Sequence, residues 1–301
     1  MTAANASVWR RIRQISTRTA AYGEHGGPVR DAVDDPDNLR GMECRHLLIL
    51  VHGYNNTTTQ ANKSFVNQIG LLKRHFGTSR YAPDAIAFFH WPGNYGVRGF
   101  SLLGYPADIQ RAIDSADRLA SYLANFPRPA DPGAFKVTIV GHSLGCRLIL
   151  EMLTRLPNVL NPNVQVVSLM APAVPIELVD TAGTLHAAVL PPRNMLKCYS
   201  HQDLALSVGF PQMQWAAFRL GIEQENYPEA VGLYGNPAAM CKGVQTYHGH
   251  SDYWDDEDLA NEYLAQIDPT RPSPPPPVRP AGRSLAERIE PLTRRLSRRR
   301  L

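Results

Sequence analysis

The stretch Val137-Thr138-Ile139-Val140-Gly141-His142-Ser143-Leu144-Gly145-Cys146-Arg147-Leu148 forces a tight turn on any fold that contains it. Its first four residues are all β-branched, which suits a strand buried on both faces. From Leu144 onward, Leu144, Leu148 and Met152 recur at helical spacing, and the pattern stops before Pro157. Strand and helix are thus joined through a Gly-x-Ser-x-Gly turn, with Ser143 in strained geometry at its tip. Gly141 and Gly145 permit the close approach of the two elements. The amino end of the helix brings backbone N–H groups and a partial positive charge beside the hydroxyl. Ser143 is therefore the candidate nucleophile.

The middle of the chain alternates strand-like and helix-like segments, the pattern of a parallel sheet with helices on both faces. Strands are predicted at His46–His52, Ala85–Trp91, Lys136–Gly141, Val164–Met170 and Asn194–Ser200, with a weaker sixth at Met240–Tyr247. Between them, Phe65, Ile69, Leu72 and Phe76 share a helical stripe, as do Ile109, Ile113, Ala116, Leu119 and Leu123. A last helix is predicted over Asp255–Ile267. The stretch Pro92–Tyr105 reads as a Gly-rich loop at a pocket mouth, and Gly209–Asn236 as an excursion with two short helices. Neither is long enough for a large cap.

A second motif stands beside the serine turn. The run Leu47–Val51 leads into His52-Gly53-Tyr54-Asn55-Asn56, a strand end that can present backbone N–H groups to an oxyanion. The candidate donors are the N–H groups of Tyr54 and Leu144. His52 itself reads as a structural histidine that anchors the loop.

The pairing of His52-Gly53-Tyr54-Asn55-Asn56 with Gly141-His142-Ser143-Leu144-Gly145 resembles bacterial α/β-hydrolases. It is similar in particular to a poorly characterised group with a His-Gly-Tyr-Asn oxyanion segment and a Trp-Pro turn after the next strand, here Trp91-Pro92. The resemblance spans roughly residues 44–265. It implies an α/β-hydrolase fold: a mainly parallel central sheet of about six or more strands, helices on both faces, and a small or absent cap. It also implies hydrolysis of an ester or related acyl bond by a serine, an acid and a histidine in that chain order. The acid should follow the penultimate core strand, where His201-Gln202-Asp203 stands; Asp203 is the choice and Asp180 its competitor. Asp203 could equally cap the helical turn after it. The histidine should follow the last strand, where Tyr247-His248-Gly249-His250 offers two; His250 is preferred over His248. Trp91, Tyr95 and Phe100 are candidates for a pocket or lid. This chemistry calls for neither metal nor organic cofactor. An ester hydrolase is the leading expectation. A thioesterase, amidase or transacylase on the same residues, or a silent binding protein of this fold, are the alternatives.

Composition bounds the remainder. Residues 1–43 read as an N-terminal extension, 44–267 as the catalytic domain and 268–301 as a Pro/Arg-rich tail, disordered or a short basic helix. From Arg271 onward there are nine Arg and two Glu, while the whole chain carries only +4. The body is therefore acidic and unsuited to nucleic acid. The tail could touch an anionic surface or partner. No apolar run is long enough to span a bilayer. The four cysteines lack metal-ligand spacing and read as buried thiols, which with no signal sequence points to the cytoplasm.

Overall fold

The apolar runs do assemble side by side. The computed structural model describes residues 12–19, 27–34, 44–76, 79, 81–94, 101–126, 131, 135–158, 160, 163–190, 194–235, 242–268 and 270–271. The Arg-rich tail beyond residue 271, Cys241, Tyr95 and Phe100 lie outside these residues.

Eight strands form one sheet: β1 (Ile12–Ser16), β2 (Val33–Asp34), β3 (His46–Val51), β4 (Ala85–His90), β5 (Lys136–His142), β6 (Val164–Met170), β7 (Asn194–Tyr199) and β8 (Lys242–Gln245). Their order is β2-β1-β4-β3-β5-β6-β7-β8. Every neighbouring pair is parallel except β1 with β2. Buried parallel strands have no solvent face, so they need apolar side chains throughout. β4 is buried at all six positions and β3 at five. The α/β-hydrolase sheet expected from the sequence is the one observed.

The helices are α1 (Thr58–Phe76), α2 (Ser101–Ala124), α3 (Leu144–Arg155), α4 (Phe210–Arg219) and α5 (Glu257–Ile267), with single turns at Ile176–Val179, His186–Val189 and Val231–Tyr234. α1 packs with α5, while α2 packs with α3 and α4. Right-handed crossovers explain this. The β3–α1–β4 connection runs one way along the sheet, and β4–α2–β5 and β5–α3–β6 run the other, which puts their helices on opposite faces. Asp256 caps α5 by accepting from the Leu259 N–H at 2.7 Å.

The direction of winding reverses between β3 and β5. At such a switch point the connections leave adjacent strand ends in opposite directions and open a crevice beyond the carboxyl ends. Both motifs of the sequence end there.

Two expectations are corrected. Residues 1–43 are not merely an extension, because Ile12–Ser16 pairs with β4 inside the sheet. The arginines of this segment made it look solvated, but Arg13 is 1% exposed. Its guanidinium lies 5.3 Å from the ring centroid of Phe126, just after α2, and donates to the hydroxyl of Tyr122, in the last turn of α2, at 3.0 Å. The predicted loop Pro92–Tyr105 also ends early, since α2 begins at Ser101 with Pro106 inside it. A proline near a helix start removes a single backbone donor, and the long helix-forming run after it outweighs that loss.

Ile15 is fully buried. Ile15→Ala should lower the unfolding free energy by about 2–4 kcal/mol in urea titration. A change below about 0.5 kcal/mol would mean that β1 adds nothing to the core.

Candidate active site

β3 and β5 are neighbours in register, with Val51 opposite Gly141. One step on, His52 lies beside His142, and a further step brings Gly53 beside Ser143. The approach is close: a β-carbon on Gly53 would stand 2.8 Å from the Ser143 Cβ and 2.7 Å from the His142 Nδ1. A β-carbon on Gly145 would stand 2.3 Å from the His52 carbonyl oxygen, and one on Gly141 2.3 Å from the Ile149 Cδ1. Gly145 meets backbone and so requires glycine for want of space, Gly53 is crowded by His142 and Ser143, and a larger residue at Gly141 would have to displace the Ile149 side chain.

Ser143 adopts φ 54° and ψ −125°, a conformation that costs a side-chain-bearing residue on the order of 1–3 kcal/mol. Its backbone is clamped. The Ser143 N–H donates to Met170 O at 2.9 Å, and Ser143 O accepts from Ala173 at 3.2 Å and Cys146 at 3.0 Å. The turn is thus held by the end of β6 and by the first turn of α3. Leu144 is the first residue of α3, so its N–H has no intrahelical acceptor.

Three side chains from distant parts of the chain meet in a line. The Ser143 Oγ–H donates to His250 Nε2 at 2.8 Å, and the His250 Nδ1–H donates to Asp203 Oδ2 at 2.7 Å. This assigns the tautomer, because a carboxylate can only accept at Nδ1. Asp203 is fully buried. Its other oxygen, Oδ1, accepts from the Leu206 N–H at 3.1 Å. Asp203 thus bonds His250 through one oxygen and caps the following turn through the other.

The competing residues are placed elsewhere. Asp180 is exposed at the end of a single helical turn and accepts from the Thr181 N–H. His248 pairs with Asp256 and stands edge-on to Tyr253.

The loop after β3 is braced from below. The His52 Nε2 faces two donors, the Trp91 N–H at 3.3 Å and the Arg18 Nη2 at 3.5 Å, so it accepts, and the Nδ1–H donates to Gly53 O at 2.9 Å. Burial is the main cause that holds this imidazole neutral, and the Arg18 charge adds to it. The Trp91 indole stacks on His52 and donates to the His52 carbonyl at 2.8 Å. Trp91 is wholly buried, so it packs the loop and lines no mouth. Arg18 also donates to Asn56 O at 2.7 Å. The Tyr54 ring stands edge-on to Tyr105.

Sequence reasoning missed two residues here. Arg18 gave no local signal, because its partners lie across the sheet. His142 was visible inside the serine motif, yet its partner is a backbone carbonyl: its Nε2–H donates to His250 O at 2.6 Å. Among the described residues, no group of three or more His, Cys, Asp or Glu is arranged to hold a metal ion.

Residues 36–230 match the model of a family described as "Alpha/beta hydrolase of unknown function (DUF900)". Ser143 and Asp203 fall inside the matched span, and His250 and Arg18 fall outside it. A stretch of 137 residues is 31% identical to the uncharacterized protein alr1448 of Nostoc sp., covering 40% of this chain and 34% of that one. The chain thus spans about a third of the length of that relative. Among solved structures, an esterase of Pyrobaculum calidifontis aligns with TM-score 0.39 and 12% identity over 78% of this chain and 80% of its own. The peroxisomal α/β-hydrolase Lpx1 of Saccharomyces cerevisiae aligns with TM-score 0.37 and 10% identity over 95% and 94%.

Gly145→Ala should destabilise the protein by roughly 1–3 kcal/mol, since the new methyl meets a backbone oxygen that cannot swing away. Unchanged urea unfolding would contradict the packing described.

Stability should also depend on pH. Burial, the first cause in each case, pushes His46 and His90 down to about 4, His142 to about 3 and His52 well below its ordinary value. Unfolded, these groups take up protons near pH 6.5. The unfolded chain therefore binds more protons from about pH 6.5 down to about 4, and stability falls as pH drops through that window. Buried Asp108, raised to about 6, and Glu223 oppose this, but two groups do not offset four. Unfolding free energy should be lower at pH 5 than at pH 7, and His46→Gln should lessen the difference. Equal stability at both pH values would refute this balance.

Proposed function

The chain belongs to the family of α/β hydrolases that its residues 36–230 match, and on that premise we propose that it cleaves an ester bond through an acyl-enzyme at Ser143. The observation that carries this reading is the hydrogen-bonded line Ser143–His250–Asp203, ending on a strained serine at the crevice of the sheet.

The chemistry follows from that line. His250 Nε2 takes the Ser143 proton as Oγ attacks the carbonyl carbon. Asp203 holds the Nδ1–H tautomer and stabilises the imidazolium that forms. The carbonyl oxygen becomes an oxyanion, for which the N–H groups of Leu144 and Tyr54 are the proposed donors. Each such donor is typically worth on the order of a hundredfold to a thousandfold in rate. His250 then gives its proton to the leaving alkoxide, and the alcohol departs. Water enters, loses a proton to His250 and attacks the acyl carbon. Ser143 leaves with that proton, and the acid is released. Thioesters and amides would use the same groups, and a panel of acyl donors ranks the three.

A fluorophosphonate probe should label the wild-type protein and not Ser143→Ala. Equal labelling of both, or labelling of neither, would sink the assignment. Asp203→Asn keeps an oxygen to cap Leu206 but no longer imposes the His250 tautomer. It should fold normally while kcat for a nitrophenyl ester falls on the order of 10⁴-fold. A full-rate Asp203→Asn variant would remove Asp203 from the reaction.

A further inference from the structure

His250 lies on a loop that follows β8, a strand of four residues at one edge of the sheet. Its side chain is held at both nitrogens, but a side chain can be no better placed than its backbone. The loop has internal bonds: the Gly249 N–H donates to Asp252 Oδ2 at 3.0 Å, and the Asp252 N–H to Gly249 O at 3.3 Å. Thr246 ties the start of the loop to Tyr199 O. Among the described residues, the hydrogen bond that fixes the backbone of His250 itself to the centre of the sheet comes from His142.

His142 is the last residue of β5, next to the serine and 6% exposed. Its Nε2 faces the carbonyl oxygen of His250 and must carry the hydrogen, which leaves Nδ1 bare. The bare edge is the one against which Gly53 packs. The ring is enclosed by Tyr253 and Trp254, each with its centroid 6.1 Å away, and its own centroid is 4.9 Å from that of His250. One imidazole therefore spans from the loop after β3 to the loop after β8.

We propose that His142 is a positioning residue that sets the distance of His250 from Ser143 and from the oxyanion loop, by donating to the His250 carbonyl and bearing on Gly53. The proposal rests on the reading of Ser143 as nucleophile. Its physical basis is geometric: a misplacement of about 1 Å between base and nucleophile can cost on the order of a hundredfold in rate. The ring also suits the task by its charge state. Burial is the main influence that holds it neutral, with nearby His250 adding to the effect. A neutral donor does not oppose the imidazolium that forms alongside it, whereas a lysine or arginine there would.

The amide nitrogen of Gln reaches about as far as the Nε2 of His, and that of Asn only as far as Nδ1. His142→Asn and His142→Gln therefore compare a lost donor with a restored one in similar polar side chains. For nitrophenyl ester hydrolysis, His142→Asn should lower kcat about tenfold to a hundredfold with little change in KM. His142→Gln should recover most of that loss. The low-field proton resonance of the His250 Nδ1–H bonded to Asp203 should broaden or vanish in the Asn variant and return in the Gln variant. The proposal is overturned if both variants keep the wild-type kcat and resonance, or if both lose kcat equally. Wild-type protein that neither hydrolyses esters nor takes the fluorophosphonate label would instead overturn the reading of Ser143. The resonance would still report whether His142 places His250.

Discussion

The site depends on how closely the ends of β3 and β5 can approach. The two strands are in register up to Val51 and Gly141, so the backbone at Gly53 runs against Ser143 with no room for a side chain. Gly145 presses equally close on His52. Such crowding allows α3 to start immediately after the serine, and it confines Ser143 to positive φ. The strain is on the order of 1–3 kcal/mol, a sizeable part of a typical net stability of about 5–15 kcal/mol. It persists because hydrogen bonds from β6 and α3 over-determine the turn.

From that contact outward, each group at the site has two attachments. Asp203 uses one oxygen for His250 and the other for the helical turn that follows it. The β3 loop is bonded to Trp91 on one side and to Arg18 on the other. Position is therefore set by hydrogen bonds to buried backbone, which is stiffer than contact between exposed side chains. The same arrangement explains the buried arginine just beyond β1. Arg18 follows directly from that strand, and without β1 in the sheet it would not reach Asn56.

Much of this was legible in the chain because it is local. Val137–Met152 carries strand, turn and helix in one run, and the five buried strands announce themselves as short apolar runs. The order of Ser143, Asp203 and His250 along the chain follows from the sheet. What could not be read depends on contacts between distant segments. β1 is short and holds Arg13, whose burial depends on Tyr122 and Phe126 more than a hundred residues away. His142 donates to a carbonyl, a group every residue has, so nothing marks the partner. The start of α2 was hidden by Pro106, a residue that usually ends helices.

The linear order of the three aligned groups has a consequence in time. A ribosome releases Ser143 well before His250, which lies 107 residues later in the chain. The crevice, the strained turn and the glycine contacts belong to strands that are complete before β8 exists. A domain generally folds as a unit, so the sheet is whole only after its last strand has emerged. On the proposed reading, the serine has no base while the chain is incomplete. Its hydroxyl gains a base only when the last strand docks and His142 receives the loop behind it. On that reading the order of synthesis keeps the nucleophile without its base until the end of the sheet is in place.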